Sequence, residues 1–93
     1  MQEIKINKDT TIKWYNEYGF IALNTYNHCF EDVSELCADD KNVIVYDDDY
    51  INANEQELIE KIRHIENSGG KLVYTLYTNP YRKLVGFVYE QSN

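Results

Sequence analysis

The sequence predicts an α+β fold: a small, mostly antiparallel sheet in the order ββ-β-α-β-α-β-β, with two helices on one face and one parallel β-α-β crossover. Three observations carry that prediction. Val43-Ile44-Val45-Tyr46 and Leu72-Val73-Tyr74-Thr75-Leu76-Tyr77 are apolar runs of strand type and length. Between them Leu58, Ile59, Ile62 and Ile65 recur at helical spacing, with Glu57, Glu60, Lys61, Arg63 and His64 on the other side. Two strands flanking one helix read as a crossover that sets both strands parallel in one sheet. The turn signals Asn16-Glu17-Tyr18-Gly19 and Asn79-Pro80-Tyr81-Arg82 bound further strand-type runs, which places antiparallel hairpins around the crossover.

Taken in order, residues 3–6 and 10–15 alternate apolar and polar side chains, with Ile4 and Ile6, then Ile12 and Trp14, on one face. Asn7-Lys8-Asp9 suits the tight turn between them. Gly19, free to take positive φ, closes the next turn, and Phe20-Ile21-Ala22-Leu23 resumes as a strand, so the first quarter reads as an antiparallel meander. Asn27 is placed to cap a short helix over residues 28–38, in which Phe30, Val33, Leu36 and Cys37 form an apolar stripe. Asn54 is the expected cap of the central helix. Glu57 three residues on gives an acidic capping box, and Glu57 with Lys61 and Glu60 with His64 are i,i+4 pairs. Gly69 is the expected stop. After the hairpin turn, residues 84–89 return antiparallel as the last strand, where Gly86 marks a bulge or a close approach of another backbone. A frayed tail is expected from residue 90.

At 93 residues, 43% hydrophobic and 14% aromatic, the chain is long enough for one domain with a modest core and too short for separate substrate and cofactor domains. No apolar run approaches the roughly 20 residues that cross a bilayer. Met1 leads into Gln2-Glu3-Ile4-Lys5, not into a basic and then apolar leader, so a soluble cytoplasmic protein is expected, in the host cytoplasm if phage-encoded. Two cysteines make no disulfide framework. On a helix Cys29 and Cys37 stand about 12 Å apart, which points to reduced and buried thiols.

Charge is the most informative feature. The net charge is -7, yet residues 1–30 sum to zero, and residues 61–93 carry five bases against Glu66 and Glu90. Residues 31–60 hold eleven acids and only Lys41. The acidity therefore belongs to one segment, which argues for an electrostatic face toward a basic partner and against direct nucleic-acid binding. Within that segment Glu31 and Asp32 complement the start of the expected helix. Glu35 repels Glu31 across one turn, and Asp39 and Asp40 oppose the dipole at its end. Asp47-Asp48-Asp49 follows the carboxyl end of a strand, where α/β sheets place ligands and where hard cations find oxygens. Neighbouring strand side chains point to opposite faces, however, and no phosphate loop completes such a site. His28, Cys29, Cys37 and His64 lack zinc-site spacing, so buried cysteines, surface histidines and no metal or cofactor are expected. Tyr is abundant, with nine residues. Tyr46 and Tyr50 flank the acidic triplet as contact candidates, while Tyr74 and Tyr89 are expected to cover the sheet.

The reading that follows is a non-enzymatic inhibitor that binds and blocks a basic, nucleic-acid-handling protein, with carboxylates standing where phosphates would stand in the manner of a DNA mimic. Its contact set is Glu31, Asp32, Glu35, Asp39, Asp40, Tyr46, Asp47, Asp48, Asp49 and Tyr50. Phage anti-restriction and anti-CRISPR proteins and the immunity proteins of nuclease toxins are of this general type: short, acidic and single-domain. The alternatives are a Mg²⁺-dependent phosphate enzyme centred on residues 47–49, and an oligomerisation module using the tyrosine-rich sheet.

Overall fold

Why the chain takes this architecture is clearest at the central crossover. The computed structural model describes residues 2–5, 19–31, 42–79 and 81–91. Its strands are β1 (Gln2–Lys5), β2 (Phe20–Asn24), β3 (Phe30–Glu31), β4 (Asn42–Tyr46), β5 (Lys71–Thr78) and β6 (Leu84–Glu90); the helix α1 (Glu55–Asn67) lies between β4 and β5. They form one six-stranded sheet in the order β1-β4-β6-β5-β2-β3, every neighbouring pair antiparallel. The α+β class holds. Since β6 is antiparallel to both β4 and β5, those two strands run the same way with β6 between them. The expected crossover is thus present, split by the strand that the short 79–83 connection returns beside β5.

Gly86 explains how β6 fits there. A Cβ on it would lie 2.5 Å from the Val45 carbonyl oxygen and 3.1 Å from Tyr46 Cα, so β4 and β6 approach as only glycine allows. The register slips at the same place: Leu76 faces Gly86 while Tyr77 faces Leu84. That bulge keeps Leu84 and Phe87, three residues apart, in the same cluster beneath α1.

Both local signals at the ends of α1 are realised. The Asn54 side-chain oxygen accepts from the Gln56 and Glu57 N–H groups at 3.1 and 3.3 Å. At the other end Gly69, at φ 89°, donates to Glu66 O, and the Gly70 N–H returns to Ile65 O at 2.9 Å. This paired closure satisfies the last carbonyls. Lys61, expected to pair with Glu57, instead forms an ion pair with Glu3 of β1.

The core has two parts, one on each face of the sheet. Leu58, Val43, Val45, Leu84, Phe87 and Tyr89 pack beneath α1. Phe20, Ala22, Ile44, Tyr74, Leu76, Val85 and Val88 form the other cluster, joined by Ala53 from the turn before α1. Strand β6 is therefore buried on both sides, which is why its sequence runs apolar without alternation. Tyr74 and Tyr89 are buried, as expected of sheet-covering tyrosines.

Several expectations are corrected. The first quarter is not a continuous meander, because β4, β6 and β5 separate β1 from β2. Strand β1 pairs instead with β4, which gives its four residues antiparallel partners from Gln2↔Tyr46 to Lys5↔Val43. The helix expected over 28–38 does not begin there: Phe30 and Glu31 pair with Leu23 and Ala22 as β3. Asn24 and Asn27 build a turn instead of a cap. Asn24 Oδ1 accepts from the Tyr26 N–H, Asn27 Oδ1 accepts from the Cys29 N–H, and His28 takes φ 57°. That turn leaves Cys29 exposed, against the expected burial. Glu90 is the last residue of β6, opposite Lys71, and not part of a frayed tail. The strand expected over 10–15, the turn at 7–9 and the remainder of the 28–38 helix lie outside the described residues. Among the described residues no helix is long and apolar enough to cross a membrane.

Candidate protein-binding surface

The acidic triplet lies where β4 leaves the sheet. The Asp47 N–H donates to Val85 O at 2.9 Å, one step past the last pair of the β4–β6 ladder. Asp47 Oδ1 then accepts from the Asp49 N–H at 3.0 Å, a local ring that short carboxylates form readily. Asp49 in turn accepts from Asn52 through both its carboxylate, at 3.1 Å, and its carbonyl, at 3.0 Å, closing a 3-10 turn over Tyr50–Asn52. Asp48 and Asp49 are exposed and Asp47 is half-buried. The turn thus presents its carboxylates from a hydrogen-bonded frame.

The acidity continues into α1. Glu55 and Glu57 stand in its first turn, where the positive pole favours them, and Glu60 is exposed one turn on. Residues 42–60 carry six acids and no Lys or Arg. Among the described residues Lys83 reaches this turn from elsewhere, its Nζ donating to Ile51 O at 2.8 Å. Its neighbour Arg82 points elsewhere, its guanidinium 3.9 Å from the Phe30 ring centroid.

Not every contact candidate lies open. Tyr46 and Tyr50 are half-buried against the cluster containing Phe20 and Ile44, and the Tyr50 ring meets Phe20 edge-on at 5.5 Å. Glu31 is half-buried on β3, where Asn24 Nδ2 and the Tyr74 hydroxyl donate to its two carboxylate oxygens at 2.9 and 3.2 Å. It ties the β2–β3 hairpin to β5, away from the 47–49 turn. Asp32, Glu35, Asp39 and Asp40 lie outside the described residues.

Sequence reasoning missed the role of Glu55. Its carboxylate accepts from the Leu84 N–H at 3.1 Å and so ties the start of α1 to β6. Its position directly after the capping Asn54 was a signal for dipole stabilisation only. His28, Cys29 and His64 are exposed, and among the described residues no three His, Cys, Asp or Glu side chains are placed to hold a metal ion.

A second surface lies on the β2–β3 side. Tyr26 and Phe30 are exposed, and each ring is faced by a cation, Tyr26 by Lys71 at 4.9 Å and Phe30 by Arg82. A hydrogen bond with Tyr26, aided by its charge interaction, raises the pKa of Lys71. Phe30 also meets Tyr77 edge-on at 6.0 Å.

Compared with protein families, curated proteins and solved structures, the chain matches none of them.

Proposed function

We propose that this protein is a non-enzymatic inhibitor that uses the acidic segment to bind and block a basic, nucleic-acid-handling protein. The observation that carries the reading is the segregation of charge: residues 31–60 hold eleven of the sixteen acids and one of the nine bases. Support comes from the 47–49 turn, where the Asp47 carboxylate accepts from the Asp49 backbone N–H and the exposed Asp49 carboxylate accepts from the Asn52 amide. Carboxylates so fixed lose little side-chain freedom on binding and stand in for a row of phosphates toward a basic groove. Asp48 and Asp49, with the exposed acids at the start of α1, form the described part of that face.

Affinity capture with the wild-type chain from the lysate of its native host, followed by mass spectrometry, tests the reading. A basic nuclease or DNA-binding complex is expected, and its nucleic-acid binding should be lost as the captured chain is added. Recovery of no basic partner contradicts the proposal. The competing phosphate-enzyme reading has its own measurement. Millimolar Mg²⁺ is expected to leave the melting temperature unchanged, because bound metal would stabilise the fold as RT ln(1 + [L]/Kd). A rise of many degrees that Asp47→Asn abolishes would install the enzyme reading instead.

A further inference from the structure

Lys83 and the first two residues of β6 hold three points of the acidic segment. The Lys83 Nζ donates to Ile51 O at 2.8 Å, the Leu84 N–H donates to the Glu55 carboxylate at 3.1 Å, and Val85 O accepts from the Asp47 N–H at 2.9 Å. On the β6 side the last two are made by backbone. The first is made by a side chain, so one substitution removes it and leaves the ladder intact. Lys83 is itself held where it can reach: its N–H donates to Thr78 Oγ1 at 3.0 Å and its carbonyl accepts from the Thr78 N–H at 2.9 Å. From that fixed backbone the half-buried side chain crosses to the 3-10 turn.

The turn needs such a tie. No residue of Tyr50–Asn52 is fully buried, and Ile51 is 69% exposed. The hydrogen bonds of Asp49 with Asp47 and Asn52 are internal to the segment, so they shape the turn without fixing it to the sheet. Tyr50 leans on Phe20. Lys83 adds a charge-assisted bond, which is stronger than one between neutral groups. Its charge acts in the opposite sense, because a cation beside the acidic face weakens the field that draws a basic partner. By charge alone, removing Lys83 helps binding; by position, removing it harms binding.

We propose that Lys83 is a positioning residue for the acidic face, fixing the 3-10 turn so that the exposed Asp48 and Asp49 carboxylates meet a basic partner already ordered. The partner rests on the inhibitor reading; the ordering of the turn does not. Two variants of the full chain test it. Lys83→Met keeps the apolar stem and removes the donor, while Lys71→Met removes the same charge at the end of β5 far from Thr78. In the free protein the Asn52 N–H, bonded to Asp49 O, should exchange with solvent about tenfold faster in Lys83→Met and at the wild-type rate in Lys71→Met. The Leu58 N–H, bonded to Asn54 O, is the reference and should not change in either. Affinity for the basic protein recovered by the wild-type chain should fall about threefold to tenfold in Lys83→Met, although that chain is more negative, and should hold or rise in Lys71→Met. Unchanged exchange at Asn52 overturns the proposal whatever the partner, and so does an affinity that rises alike in both variants. If no basic partner is recovered, the inhibitor reading falls and the exchange rates still decide whether Lys83 orders the turn. Should Lys83→Met fail to fold, Lys83→Ala is measured in its place against the same outcomes.

Discussion

Asparagine serves two purposes in this chain, and only one of them was legible in advance. At Asn54 the side chain caps α1, and the downstream apolar periodicity made that reading secure. Asn54→Ala should cost about 1 kcal/mol in urea unfolding, the usual worth of such a cap. Asn27 carries the same local signal, yet it supports a left-handed turn at His28, because pairing Phe30 and Glu31 with β2 outweighs a short isolated helix. That preference is tertiary, and no residue near Asn27 announces it. Gly86 shows the opposite: a glycine inside a strand run implied a close backbone, and Val45 and Tyr46 supply it. Gly86→Ala should destabilise by about 1–3 kcal/mol, the range for overpacking where backbone must move. A change within a few tenths would mean that β4 and β6 part easily.

At the scale of elements, the helix, the two parallel strands and the returning last strand were readable from the sequence pattern, while the place of that last strand between the parallel pair was not. Sequence fixes that residues 84–89 return antiparallel to β5; it does not say on which side of β5 they lie, and the β4 side is the one taken. The weight within α1 also shifted. Its stripe reads as four equivalent residues, but Leu58 alone is fully enclosed, among Val45, Leu84 and Phe87. Leu58→Ala should therefore cost about 2–5 kcal/mol, as large-to-small core changes do, and Ile62→Ala clearly less. Equal losses in chemical denaturation would place the Ile62 side of the helix in the core, against the partial exposure of Ile59 and Ile62.

For the whole molecule, charge is divided along the chain more sharply than the fold requires. The acidic 47–49 turn was visible in the sequence, but the hydrogen bonds that hold it were not, since they depend on β4 ending opposite Val85 and on the 3-10 turn that follows. Glu31 was legible as an acid and not as the link between Asn24 and Tyr74. The central claim is that the acidic segment is kept for binding. Its direct test replaces Asp39, Asp40, Asp47, Asp48 and Asp49 by Asn and measures thermal melting beside association kinetics with the captured basic partner at low and high salt. Asn retains the side-chain oxygen that the 47–49 turn uses, so melting should be unchanged or slightly raised. Binding should collapse, because desolvated charge pairs are worth about 1.5 kcal/mol or more each. The wild-type on-rate should fall steeply with salt, as steering is screened beyond about 8 Å at physiological ionic strength. An unchanged affinity in the fivefold variant, with an on-rate indifferent to salt, would contradict the account.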